Sequence, residues 1–315
     1  MNVSNIAERC YQKMIDLNNV KILVCCHKDS PVPRDDLLLP IHVGAKISNV
    51  TLGIQRDDQI NGTVVENISD KNQGFCELTA LYWAWKNIKK IYPNLEYIGL
   101  NHYRRYFAFD EVRYTGSAIH RHIDSISDYK VDKKKLDKIL TSGKIVTNPK
   151  AKLNCSVGAS YEHAHNSSDL RILHSVIKEL YPEYLDAFNE LYIRTNYFYD
   201  CNMFIMPFAE FERYCEWLFS ILFEVERRVN TTGYDSYQRR VFGFLAEHLF
   251  TLWIMSHKLH VQPLNYIMYS ESPRPYKKGL KAFLGYKKSM LKQDLGFKIS
   301  KPYNKDLLEK YWIVP

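Results

Sequence analysis

Short, wholly apolar runs alternate along this chain with longer stretches of helical period. Lys21–Cys26 (KILVCC) is apolar almost throughout, the pattern of a strand covered on both faces. It stops in the polar loop His27-Lys28-Asp29-Ser30, which is followed by two prolines. From Gly74 to Ile91 the sequence GFCELTALYWAWKNIKKI sets Leu78, Leu81, Tyr82, Trp85 and Ile88 on one side of a predicted helix that Pro93 closes. Glu96–Leu100 (EYIGL) reads as a second buried strand and delivers Asn101-His102-Tyr103-Arg104-Arg105 at its carboxyl end. A basic helix over 132–142, a third strand at Lys144–Thr147 and a helix over 168–179 follow, the last with Ser168 or Asp169 as its N-cap. Asn202–Met206 is a fourth strand, closed by Pro207, and two long helices cover 208–230 and 235–257. An amphipathic helix is predicted over 4–17. Strands alternating with helices predict an α/β fold with a mainly parallel sheet covered on both faces. The expected organisation is an N-terminal helix (1–20), a catalytic-sized α/β domain (21–265) and a basic C-terminal extension (266–315).

Composition narrows the function. With 46% hydrophobic and 25% charged residues over 315 positions, the chain is neither disordered nor a disulfide-framed miniature. Its seven cysteines include no C-x-x-C, and Cys25-Cys26 lie inside an apolar run, so reduced, buried thiols of a cytoplasmic protein are expected. The N-terminus has no apolar core of a signal peptide, and no run approaches the roughly 20 apolar residues that span a bilayer. The net charge is +8, but from Glu271 to Pro315 eleven Lys/Arg stand against four Asp/Glu, leaving the body nearly neutral. A nucleic-acid binder would carry a basic face across its folded domain, so that class is disfavoured. Lys277–Lys292 (KKGLKAFLGYKKSMLK) holds six Lys and no acid. On a helical wheel Leu280, Phe283, Leu284, Met290 and Leu291 cluster beside Lys277, Lys278, Lys281, Lys288 and Lys292. That is the pattern of a helix lying on an anionic membrane surface, although Gly279 and Gly285 weaken it.

In open α/β sheets ligands bind beyond the carboxyl ends of the strands. Two strands here end in titratable clusters, His27-Lys28 and His102-Tyr103-Arg104-Arg105, which points to one cleft.

The segments ENISDKNQGFCELTALYWAWKN, YIGLNHYRRYF, NMFIMP and RVFGFLAEHLF, in this order, resemble a bacterial family of capsular and exopolysaccharide-biosynthesis glycosyltransferases, long catalogued only as a domain of unknown function. The resemblance runs from about Lys21 to His257. Characterised members are similar to galactofuranosyltransferases that use UDP-galactofuranose. The resemblance implies a GT-A-like (Rossmann-like) nucleotide-sugar-binding sheet flanked by helices, here with a C-terminal helical extension. It also implies a UDP-sugar donor and a lipid-linked or oligosaccharide acceptor; with the charge distribution, the cysteines and the basic tail, the expectation is no nucleic-acid partner and a cytoplasmic enzyme peripheral to the inner membrane. Another UDP-hexose as donor, or a non-catalytic nucleotide-sugar binder, are the alternatives.

Within that resemblance each residue has an expected role. Many GT-A enzymes neutralise the leaving diphosphate with a divalent metal held by Asp-x-Asp, yet this sequence has no Asp-x-Asp. Cations are expected in its place: His102, which can donate from a ring nitrogen, and the guanidinium forks of Arg104 and Arg105. No metal or other cofactor is therefore expected. His27 and Lys28 are placed to meet the nucleotide, Val43-Gly44-Ala45 to line its pocket with close backbone, and Asn67, Lys71, Asn72 and Glu77 to bind the donor at a helix start. Asn202 joins this donor set. The acidic doublets Asp35-Asp36 and Asp57-Asp58 read as solvated turn residues. For the catalytic base, Glu247 interrupts an apolar helix pattern, where a charge is costly unless used; Asp200, at a strand mouth, is second. Tyr82, Trp83 and Trp85 read as core, whereas Tyr197 and Tyr199 are expected to stack on the acceptor glycan.

Overall fold

The structure, a computed structural model, describes residues 15–109, 118–274 and 280–299. The helix expected over 4–17 falls outside these residues except for its last three positions, as do Lys277, Lys278 and Gly279.

The apolar run after a short 3-10 turn forms strand β1 (Val20–Cys26), whose side chains contact core on both faces of the sheet. It pairs in parallel with β2 (Leu38–His42), which pairs with β3 (Gln55–Arg56). β4 (Gln59–Ile60) and β5 (Thr63–Val64) make a small hairpin beside it. On its other side β1 pairs in parallel with β6 (Tyr97–His102), with Cys25 opposite His102. That register sets the carboxyl ends of the two strands side by side. β7 (Arg105–Phe107) folds back from β6, and β8 (Ala118–His122) joins the same sheet through a later strand. β9 (Ile145–Thr147) continues the sheet, and β10 (Ala151–Lys152) pairs with β11 (Tyr197–Phe198) as a separate ribbon. β12 (Phe204–Pro207) lies between β6 and β9, and β13 (Val261–Pro263) completes that edge. β14 (Tyr266–Ser270) pairs with β7 and β8, so the sheet extends past residue 265.

The sheet is mixed rather than mainly parallel, because β12 runs antiparallel to both β6 and β9. A short apolar run has no polarity, so its direction was invisible in the pattern. The direction matters here. With Phe204 opposite Leu100 and Pro207 opposite Tyr97, the residues before β12 emerge beside those after β6. Asp200, Cys201 and Asn202 therefore reach the same end of the sheet as His102.

The helix expected over 74–91 is broken in two, α1 (Asn72–Phe75) and α2 (Leu78–Asn87), because Cys76 adopts φ 50°, ψ −129°. α2 is buried nearly all round. Trp83 is wholly enclosed and Trp85 stacks on Phe219 at 5.8 Å, so this stripe is core. α3 (Lys133–Thr141) starts at an Asp132 cap; α4 (Val157–Ala164) precedes α5 (Ser167–Leu180), whose N-cap is Asn166 rather than Ser168 or Asp169. After the short α6 (Leu185–Asn189), α7 (Phe208–Arg228) and α8 (Val241–Ser256) pack against each other and cover one sheet face with α2 and α5. α8 begins at 241, not 235, since 238–240 form a 3-10 turn. α3 and the β7–β8–β14 ribbon cover the other face. α9 (Leu280–Ile299) is a continuous helix through Gly285. The six cysteines among the described residues are free thiols, and no described helix is long and apolar enough to cross a membrane.

Candidate active site

A cleft of about 710 Å³ opens beyond the carboxyl ends of β1 and β6. Of the residues singled out from the sequence, His27, Val43, Asn72, Glu77, His102, Arg104, Arg105 and Glu247 line it. Residues from five separate stretches of chain therefore meet at one point.

The turn after β6 supplies its basic wall. The Arg104 guanidinium lies 5.1 Å from the centroid of the Tyr103 ring, and the His27 ring meets the same ring edge-on at 4.9 Å. The Arg104 Nε is buried without a hydrogen-bond partner. Arg239 and Arg240, at the start of α8, line the same cleft. Their nearest polar contacts are neutral: Arg239 Nε donates to the Tyr234 carbonyl (3.0 Å) and Arg240 Nε to the Cys76 sulfur (3.3 Å). Arg104, Arg105, Arg239 and Arg240 thus converge on the cleft with no ion pair to any of them recorded among the described residues. Two cations at a helix N-terminus oppose its macrodipole; the charges of Glu77 and Glu247 offset this in part at Arg240, and a bound anion would offset it further.

Sharing the cleft with the arginines is a half-buried acidic group. Glu247 Oε1 accepts from the Cys201 amide (2.9 Å), and Glu77 Oε1 accepts from Asn202 Nδ2 (2.7 Å). Cys201 and Asn202 both have positive φ, 68° and 48°. Two consecutive non-glycine residues in this region are strained and persist only where neighbours over-determine them. Here Glu247, Glu77 and His102 do so, since the His102 Nε2 lies 2.6 Å from the Cys201 carbonyl. A carbonyl only accepts, so Nε2 carries the hydrogen. Burial also lowers the His102 pKa, so the ring is neutral and its Nδ1 is an acceptor. The expectation that His102 donates to a diphosphate is corrected accordingly. Burial, then the charges of Glu77 and Asp200, raise the Glu247 pKa to about 8. Burial also raises Asp200, whose carboxylate accepts from Asn148 Nδ2 beside the cleft rather than in its wall.

Several expected residues stand elsewhere. Lys28 is exposed, 5.7 Å from the Tyr103 centroid. The amides of Gly44 and Ala45 donate to the Asp57 carboxylate at 2.7 and 3.1 Å, and Ser69 Oγ donates to it at 2.5 Å. Asp57 is therefore wholly buried, and Asp58 forms a forked pair with Arg56; neither is a solvated turn residue. Asp35 likewise accepts from the Leu37 and Val131 amides, while Asp36 alone of that doublet is open to solvent. Asn67 closes a local turn by accepting from the Ser69 amide, and Lys71 is paired with Glu226 at 2.6 Å. Asn202 is buried behind the wall, holding Glu77. Tyr199 is buried, with its amide bonded to Thr251, and so has no open face for a sugar; Tyr197 carries Lys150 over its ring at 3.7 Å. An exposed aromatic does stand by the cleft: Tyr237, next to the lining residue Ser236, stacks one face on His165 at 5.8 Å.

Gly44 matters to this wall by being small. It has φ 68°, and a Cβ there would lie 2.8 Å from the Asn72 side chain. Gly44→Ala is expected to cost about 1–3 kcal/mol of stability, read as a lower midpoint in urea unfolding, with the slope unchanged.

Among the described residues no group of three or more His, Cys, Asp or Glu is arranged to hold a metal ion. At the end of β6, where Asp-x-Asp would supply ligands, Asn101-His102-Tyr103-Arg104-Arg105 offers none of carboxylate type.

A sequence-family model described as a domain of unknown function, DUF4422, matches residues 21–258. The apo structure of WbbM, a bifunctional glycosyltransferase, superposes with a TM-score of 0.66 at 26% identity, over 83% of this chain. The chain spans about half, 47%, of that protein's length. The likeness is one of fold, and it makes the α/β sheet described above GT-A-like. No curated protein matches the chain.

Proposed function

The chain belongs to the DUF4422 family, and on that premise we propose that it is a glycosyltransferase moving a sugar from a UDP-sugar to a hydroxyl of a cell-surface polysaccharide precursor. The observation that carries this reading is the convergence of four arginines, with no ion pair to them among the described residues, on one cleft that also contains a half-buried carboxyl group of raised pKa. Planar guanidinium forks match the oxygens of a diphosphate, and a low-dielectric cleft strengthens each contact. In this scheme Arg104, Arg105, Arg239 and Arg240 hold the UDP diphosphate in place of a metal ion. His27 and Tyr103 meet the nucleotide base.

Glu247 is the base. As the acceptor oxygen bonds to the anomeric carbon, its proton passes to the Glu247 carboxylate and the bond from that carbon to the UDP oxygen breaks. The arginines stabilise the charge that develops on the departing UDP. A direct, in-line displacement inverts the anomeric centre. Glu77, Asn202 and His102 keep the Cys201 peptide in the conformation that presents its amide to Glu247. The donor sugar we favour is galactofuranose, with a lipid-linked or oligosaccharide acceptor met at the cytoplasmic face of the membrane.

The direct test is a thermal-shift series in EDTA. At about a hundredfold excess over Kd, UDP is expected to raise Tm by roughly 5 °C, with ADP and dTDP giving less. Release of UDP from a UDP-sugar by the same protein then separates an enzyme from a passive binder. Stabilisation that appears only when manganese is added would overturn the assignment of the arginines.

A further inference from the structure

Several of the large apolar side chains that stand in solvent belong to α9: Leu280 (72% exposed), Leu284 (56%), Leu291 (62%) and Leu295 (55%). At about 100° per residue these four fall within an arc of roughly 60°. They form a ridge about 22 Å long at 1.5 Å per residue.

The docking of α9 fixes which way the ridge points. Gln293 Nε2 donates to the Lys152 carbonyl (3.1 Å), Asp294 pairs with Lys152 Nζ (2.6 Å), and a Cβ on Gly296 would lie 3.1 Å from the Asn154 carbonyl oxygen. Phe283, Met290 and Phe297 are half-buried. The apolar cluster expected from the wheel is thus divided: Phe283 and Met290 lie on the shielded side, while the leucines face away from it. Asp294 is the single acid between 280 and 299, and its partner is Lys152. The one negative charge on the helix is thus neutralised by a lysine of the domain, and the unpaired charges on its outer surface are lysines. Lys281, Lys288 and Lys292 border the ridge on one side and Lys287 on the other, all exposed.

We propose that this leucine ridge and its flanking lysines seat the protein on a bilayer containing anionic lipid, with α9 lying in the plane of the interface. Charge decides among occupants. A second copy laid ridge to ridge would oppose lysine to lysine. A nucleic acid would answer the lysines but press phosphates on the leucines. An anionic bilayer satisfies both, taking the leucines among its acyl chains and the ammonium groups at its headgroups. The inference rests on α9 alone and is independent of the chemistry in the cleft.

Flotation of the full chain with vesicles tests it. Binding is expected to vesicles of phosphatidylcholine with about one-third phosphatidylglycerol, and to be at least tenfold weaker to phosphatidylcholine alone. L284D/L291D is expected to lose at least tenfold in partitioning, and K288E/K292E to lose comparably and to abolish the preference for anionic lipid. All four side chains are solvent-exposed, so Tm and the response to UDP should match the wild type; that comparison separates loss of the surface from loss of fold or of donor binding. No flotation by the wild type, or flotation unchanged in L284D/L291D, overturns the proposal. So does a dimer, seen by light scattering without vesicle binding, that L284D/L291D dissociates.

Discussion

R104A/R105A is expected to lower kcat/KM for sugar transfer by at least about 10³-fold and to remove the thermal shift caused by UDP. Withdrawing a single preorganised donor from a developing oxyanion costs on the order of 10²–10³ in rate, and this variant withdraws two guanidiniums. Neither side chain makes an ion pair among the described residues, but the Arg105 charge favours the ionised forms of Asp200 and Glu247, so its loss pushes both of their pKa values further up. Relief of repulsion among the four arginines acts against that loss, so Tm in the absence of ligand should change little. That combination, a silent effect on stability with a large one on nucleotide response, distinguishes anion-holding arginines from structural ones. Arg105→Lys should retain a part of the activity, since a point charge replaces the charge but not the fork. A double variant that still responds to UDP as the wild type does would remove the central element of the mechanism.

Glu247→Gln is expected to reduce transfer by at least about 10²-fold and to change the pH dependence of both activity and stability. A base must be deprotonated to work. With the Glu247 pKa raised to about 8, kcat/KM of the wild type should climb through that pH, and this limb should vanish in the variant. For stability the sign is the reverse. Between the ordinary value of 4.5 and about 8 the folded chain holds a proton on Glu247 that the unfolded chain has released. Folding is therefore favoured at the acid end, and the Glu247 contribution is lost as pH rises across that window. Urea midpoints of the wild type should fall more from pH 5 to pH 8 than those of Glu247→Gln, whose amide oxygen still accepts from Cys201. Asp200→Asn serves as the comparison: it should keep the alkaline limb, displaced to lower pH because one charge raising the Glu247 pKa is gone. Loss of the limb in Asp200→Asn, with its survival in Glu247→Gln, would transfer the role of base to Asp200.

The cleft was partly legible in the amino-acid order. β1 and β6 are apolar runs that end abruptly in His27-Lys28 and His102-Tyr103-Arg104-Arg105, and strand ends are where α/β sheets bind ligands. Glu247 stood out as a charge in an otherwise apolar helix. Asp57 was misread because a loop carboxylate looks the same in sequence whether water or three buried donors surround it. Cys76 gave no sign of ending a helix, since its left-handed φ is imposed by packing and not by the side chain. Tyr199 and Tyr197 differ by two positions, yet one is enclosed and the other half-open.

Local pattern, then, was sufficient for the strands β1, β6, β9 and β12, most helices, the β6 arginines and the placement of Glu247 on α8, because each depends on neighbours in sequence; the remaining strands emerge only in the fold. The reversed direction of β12, the meeting of Arg239 and Arg240 with the β6 turn, the clamp on Cys201 and the outward phase of the α9 leucines belong to the folded molecule. Each joins residues tens of positions apart or more, through distances and burial that arise once the sheet has closed, and neither hydrophobic period nor residue type encodes these directly.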